Sequence, residues 1–286
     1  MSGSPFYILI QKIFSGELST IYCSHYGACA GLLVQAPAPY SRRTFYPLLT
    51  DVFNRFRLSW CPAVLFLDKG RIEALRRRLI EWYRVYGDKD LPWRNTADPW
   101  AILVAAFLLR KTTARQVVRV YEEFLRRYPN PKALASARED EVRELIRPLG
   151  IEHQRAKHLI ELAKHIEARY GGRIPCSKEK LKELPGVGDY IASEVLLAAC
   201  GSPEPLLDRN MIRILERVLG VKSAKKRPHT DPKMWSTARR IVPKDPDMAK
   251  EFNYGMLDLA RKICTARKPL CTECPLNDIC IYYNND

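Results

Sequence analysis

The chain has 286 residues, 28% of them charged and 47% hydrophobic, with 47 lysines and arginines against 32 aspartates and glutamates for a net charge of +15. This balance supports one or two globular domains and excludes wholesale disorder, and no run reaches the roughly 18 apolar residues of a membrane span or the basic-then-apolar order of a secretory signal. The excess of positive charge makes a polyanion, nucleic acid first, the expected partner, in an intracellular setting where thiols stay reduced.

Residues 1-70 hold 12 of the 28 aromatics and only nine charged residues, without a clear period. They are expected to be an extension of unknown role: an accessory module, a poorly ordered segment or the product of an upstream start codon. The functional body is expected over 71-286, which carries +12 of the charge. It opens with a helix whose Ile72, Leu75, Leu79, Trp82 and Val85 share one face. Asp98-Pro99 starts the next, with Asp as cap and Pro at the first helical position, running to about Leu109. Further helices are predicted at Thr113-Tyr128, Ala137-Ile146, about 156-170, Ser177-Leu184, Asp189-Cys200, Asn210-Leu219, about Pro232-Ile241 and Met248-Ile263. β-branched alternation is missing from this part, so the body reads as all-α.

Leu184-Pro-Gly-Val-Gly188 lies between two of these helices. Its glycines, Gly186 and Gly188, let backbone amides turn outward where the next helix begins, and such amides together with the helix dipole hold a phosphate. A common tight turn is the plainer reading. Twenty residues beyond Gly188 comes Asp208-Arg-Asn210 at the head of another helix, where an aspartate most often only caps. The last 23 residues contain Cys264, Cys271, Cys274 and Cys280 as C-x6-C-x2-C-x5-C. Four thiolates so spaced can close around one metal centre, and tetrahedral zinc is one occupant they suit. Cys23, Cys29, Cys61, Cys176 and Cys200 show no ligand spacing and are expected to pack or stay free.

Taken together, the hairpin, Asp208 at its interval and the cysteine loop resemble the helix-hairpin-helix DNA glycosylase superfamily of endonuclease III and the adenine glycosylases, over essentially all of 71-286. The resemblance implies two helical lobes: a six-helix lobe over 98-202 with the hairpin, and a second built from 71-97 and 203-286 with Asp208 and the iron-sulfur loop. It makes Gly186 and Gly188 phosphate-facing positions and Asp208 the catalytic carboxylate, with Asn210 as its partner. The four cysteines become ligands of a [4Fe-4S] cluster. A fixed anion suits this chemistry, because breaking an N-glycosidic bond builds positive charge on the sugar, and the target base must first leave the stack.

Within the superfamily, the bifunctional enzymes place a lysine next but one after the last hairpin glycine to form a Schiff base. Here Tyr190 stands there, so no strand cleavage by β-elimination is expected. Aligning Leu91-Pro-Trp-Arg94 and Asp98-Pro-Trp100 with the adenine glycosylases puts Ala106 where they carry an acidic Glu, and six residues after Cys280 leave no counterpart of their oxidised-guanine-recognising domain. Leu-Pro-Gly-Val-Gly-Asp-Tyr190 and Leu108-Leu-Arg-Lys-Thr-Thr-Ala114 resemble instead the thymine-DNA mismatch glycosylases of the MIG type. Tyr190 then lies beside the sugar and flipped base, and Arg110 and Lys111 fill the gap and read an orphan guanine. The expectation is a monofunctional, monomeric repair enzyme, cytoplasmic or nucleoid-associated, that acts on double-stranded DNA with a mismatched thymine or uracil and hands the abasic site to an AP endonuclease. An adenine or endonuclease III-like glycosylase is the alternative, and a DNA-binding module without chemistry a third reading.

Overall fold

The computed structural model of the protein describes residues 69-284. The extension expected over 1-70 lies outside them, as do Cys23, Cys29 and Cys61, except that its last two residues begin the first helix. Twelve α-helices and no strand occur among the described residues. In chain order they are α1 (Lys69–Tyr86), α2 (Pro99–Leu108), α3 (Ala114–Arg127), α4 (Pro131–Ala135), α5 (Glu139–Ile146), α6 (Glu152–Tyr170), α7 (Lys178–Glu183), α8 (Asp189–Ala199), α9 (Arg209–Leu219), α10 (Pro232–Ile241), α11 (Pro246–Lys262) and α12 (Ile281–Asn284). None is long and apolar enough to cross a membrane among the described residues.

Local chemistry explains most of the boundaries. Asp98, Asn130, Ser177, Asp208, Asp231 and Asp245 each accept a backbone N–H in the first turn of the helix they precede. Thr113 and Gln116 form a reciprocal capping box on α3. Proline at the first position of α2, α4, α10 and α11 removes an N–H that no helix could use. The five-residue α4 was not expected from the sequence, because one turn is too short to show a period.

Two hydrophobic cores hold the helices. The first gathers Trp93, α2 (buried from Trp100 to Leu108), and the inner faces of α3 to α8, with Leu184 and Val187 of the hairpin. The second is built from α1, α9, α10 and α11 together with Cys264, Leu276 and Cys280, and Leu197 of α8 belongs to it. Gly255 lets α11 lie against α1, since a Cβ there would come within 3.2 Å of the Leu79 and Tyr83 side chains. Because α8 contributes to both cores, its first turn is held between them.

One expectation is corrected. Cys176 and Cys200 neither stay free nor merely pack; they form a disulfide with their Cα atoms 5.8 Å apart. The helical hairpin is the reason: α7 and α8 run back along each other, so Cys176, two residues before the first, meets Cys200, directly after the second. The bond closes a ring around the entire hairpin.

Candidate active site

Asp208 sits at the N-terminus of α9, anchored by Leu206 and Leu207, which are fully buried, and by the Leu206 N–H donating to Asn253 Oδ1 at 2.8 Å. Its Oδ1 accepts the N–H groups of Asn210 (2.8 Å) and Met211 (2.9 Å), and its Oδ2 accepts the Asn210 side-chain amide at 2.6 Å. The cap is therefore real, and it orients both carboxylate oxygens. Burial nonetheless raises the Asp208 pKa above the usual carboxylate value, with the amides of Met211 and Asn210 opposing. Asn210 Oδ1 in turn accepts from Arg213 Nη2 at 3.2 Å, and Arg213 donates to the carbonyls of Cys264 and Ala260, both at 2.8 Å. A continuous chain of hydrogen bonds thus joins Asp208 to the first of the four cysteines.

Asp208 lines an open cleft of about 560 Å³ with Trp93, Arg94, Tyr190, Glu194 and Tyr254. A second cavity of about 420 Å³ shares Asp208, Tyr190 and Glu194 and is bounded by Ala106, Arg110 and Gly188. Tyr190 is brought to Asp208 because it occupies the first turn of α8. Burial, then the charges of Glu194 and Asp208, holds its phenol well above the ordinary value, so it is a neutral hydroxyl here. Arg94 forms a buried ion pair with Asp258 on α11 through both terminal nitrogens, at 2.7 and 3.1 Å, and its guanidinium lies 4.6 Å from the centre of the Tyr254 ring. Arg94 and Glu194 were missed as site residues. A lone acid in the apolar run of α8, four residues after Tyr190, was the available signal for Glu194.

The hairpin residues behave differently from one another. Gly186 has φ of +76°, which a side chain would strain, and a Cβ would stand 3.3 Å from the Phe107 ring and the Arg110 guanidinium. Gly188 has extended backbone, with open space where a Cβ would be, and is the N-cap of α8 without a side-chain cap. The first amides of α8 are left for an external acceptor, as at any uncapped helix start. Arg110 donates to the Gly186 carbonyl and stacks 4.2 Å over Phe107. Lys111 is exposed and left-handed, with φ of +53°. The turn that carries both is fixed from α6 by Arg155, 4% exposed, which donates to the carbonyls of Phe107, Leu108 and Arg110. Arg110, Lys111 and Ile151 line a common cavity.

Cys264, Cys271, Cys274 and Cys280 are all free thiols lining one apolar cavity with Ile214, Val218 and Leu259. Among the described residues no such side chains gather tightly enough for a single metal ion. Burial first, and the neighbouring sulfurs after it, pushes the Cys274 thiol up to about 12. Four sulfurs lining one apolar cavity are stabilised together as thiolates by a cationic centre, so the donor set fits an iron-sulfur group. Arg217 donates to Cys264 Sγ at 3.4 Å and to the carbonyls of Thr265 and Ala266, ordering the loop.

The chain matches the model of the HhH-GPD superfamily base excision DNA repair proteins over residues 104–240 and that of the iron-sulfur binding domain of endonuclease III over 264–280. It is 61% identical over 209 residues to the thymine/uracil-DNA glycosylase of Pyrobaculum aerophilum, covering 73% of this chain and 91% of the relative. It is 34% identical over 195 residues to that of Methanothermobacter thermautotrophicus, covering 68% and 87%. Among solved structures it resembles that of a thermostable thymine-DNA glycosylase, with a TM-score of 0.71 and 31% identity over 76% of this chain and 98% of the other.

Proposed function

From the premise that the chain belongs to the HhH-GPD superfamily of base excision DNA repair proteins, and is a DNA N-glycosylase with an iron-sulfur cluster, we propose that it hydrolyses the N-glycosidic bond of thymine or uracil mispaired with guanine. The observation that carries this reading is Asp208 in an open cleft beside Tyr190, with no amine at position 190. The hairpin amides at Gly186 and Gly188 grip a phosphate, and a wobble pair, less costly to open than a matched one, releases its pyrimidine into the cleft.

As the bond from C1′ to the base breaks, its electron pair leaves with the pyrimidine and positive charge grows on the sugar. Asp208, ionised and aimed by Asn210, stabilises that charge and takes a proton from the incoming water. Tyr190 flanks the sugar and offers no Schiff-base nitrogen, so the product is an intact strand with an abasic site, a substrate for an AP endonuclease. Arg110 and Lys111 meet the orphan guanine. Cys264, Cys271, Cys274 and Cys280 would hold the cluster, which would tie together the loop that Arg217 orders. In this reading the enzyme has two lobes, 98-202 and 71-97 with 203-286, with Trp93 and Leu197 each packing into the other lobe's core, and works as an intracellular monomer on duplex DNA.

Single-turnover assays on duplexes containing G:T, G:U, A:G, oxidised G:A and thymine glycol test this, each with and without alkali. Release of thymine or uracil with scission only after alkali is the expected result. Adenine release, or scission without alkali, overturns it.

A further inference from the structure

Glu194 lies one helical turn after Tyr190 and is 6% exposed. A carboxylate in that position calls for an ion pair or hydrogen-bond donors, and it makes neither an ion pair nor a hydrogen bond. The charged groups around it are committed elsewhere or are of its own sign. Arg94 spends both terminal nitrogens on Asp258. Lys178, from α7 on the far side of α8, donates to Glu204 and Ser193. Arg110 holds the hairpin carbonyl. Asp208 and Arg209, at the head of α9, line the cleft with it, and Tyr190 and Tyr254 face it as neutral phenols. Burial, reinforced by the Asp208 charge and opposed by Arg94, pushes its pKa up to about 7. It lines both cavities at the site, one of them together with Ala106.

We propose that Glu194, in its protonated form, donates a hydrogen bond to a carbonyl oxygen of the flipped-out pyrimidine and so stabilises the negative charge the base acquires as it leaves. This rests on the pyrimidine-releasing reading above. The electron pair of the broken bond spreads from the ring nitrogen to the two carbonyl oxygens; Glu194 shares its proton with one of them and keeps it, while the water that adds to C1′ gives its proton to Asp208. A neutral carboxylic acid suits this task because it donates where an anion would repel. The two carboxyl groups thereby divide the work: Asp208 must be ionised and Glu194 protonated, so activity is bell-shaped in pH.

Single-turnover release of thymine from G:T and uracil from G:U duplexes, from about pH 5.5 to about pH 9, tests this with the wild type, Glu194→Gln and Glu194→Ala, alongside duplex affinity and thermal unfolding. The wild-type rate is expected to fall about tenfold per unit above pH 7. Glu194→Gln, which keeps an N–H donor at every pH, loses that alkaline fall and overtakes the wild type near pH 9. Glu194→Ala is slower by about 10²-fold at pH 6, the usual loss of one such donor, with duplex affinity retained. If Ala does not fold, the Gln profile alone decides. Variants that keep the wild-type rates and profile, with the wild type releasing pyrimidine, overturn the donor role and leave the glycosylase reading standing. A wild type that releases neither thymine nor uracil overturns both, and adenine release abolished by Glu194→Ala assigns the proton to a purine instead.

Discussion

Asn210 holds Asp208 at two points, its backbone N–H on one carboxylate oxygen at 2.8 Å and its side-chain amide on the other at 2.6 Å. The first bond survives replacement of the side chain by alanine; the second does not. Asp208→Asn is expected to reduce base release by about 10³-fold or more while duplex binding remains, and Asn210→Ala by about tenfold, since one oxygen loses its guide. Comparing single-turnover rates with affinities from fluorescence anisotropy separates chemistry from binding.

Tyr190→Lys introduces an amine into the first turn of α8, beside Asp208. Part of the abasic product is then expected to be cleaved without alkali, and borohydride to trap a covalent protein-DNA adduct, because the amine forms a Schiff base with the opened sugar. The wild-type protein is expected to show neither.

The ring closed by Cys176 and Cys200 spans 24 positions. Chain-entropy arguments put the gain from such a closure at about 3.5 kcal/mol. Denaturation by guanidinium with and without reductant, and of Cys176→Ser, measures it. The Cys176→Ser variant should match the reduced wild type and be insensitive to reductant.

Burial of Glu194 also makes a statement about stability. Its folded pKa, about 7, lies above its ordinary value of 4.5, so its contribution is fully present below 4.5 and is lost as pH rises to 7. Glu194→Gln does not titrate. Its stability relative to the wild type should rise across that window by about 3 kcal/mol and stay level above it, read from denaturation curves at pH 4.5, 6 and 8.

Purified holoprotein is expected to be brown and to contain four irons per chain. Cys274→Ser should lose colour and duplex affinity, as the loop that Arg217 orders loses its centre. A colourless wild type with one zinc per chain contradicts the cluster.

Helices with a capping side chain and a proline behind it, such as Asp98-Pro99 and Asp231-Pro232, could be read from the chain because their signals are local. Asp208 and the four cysteines were legible for a different reason: spacing along the chain encodes them. Arg94 escaped because its meaning depends on Asp258, 164 residues away. Glu194 escaped because what makes it unusual is a missing partner, and that is a property of surroundings assembled from α2, α9 and α11. The Cys176–Cys200 bond has no spacing signature; only the antiparallel course of α7 and α8 creates it.

The interior arginines bear on how salt will act. Arg94 and Arg155 are turned inward onto a carboxylate and three carbonyls, and Arg213 and Arg217 onto the cluster loop, so these four cations are already engaged within the protein. DNA binding releases counterions only for the cations that meet a phosphate. The dependence of log Kd on log salt is therefore set by the exposed cations that contact phosphate, each adding about 0.9 to the slope, whereas loss of Arg155 should weaken the fold and leave that slope unchanged.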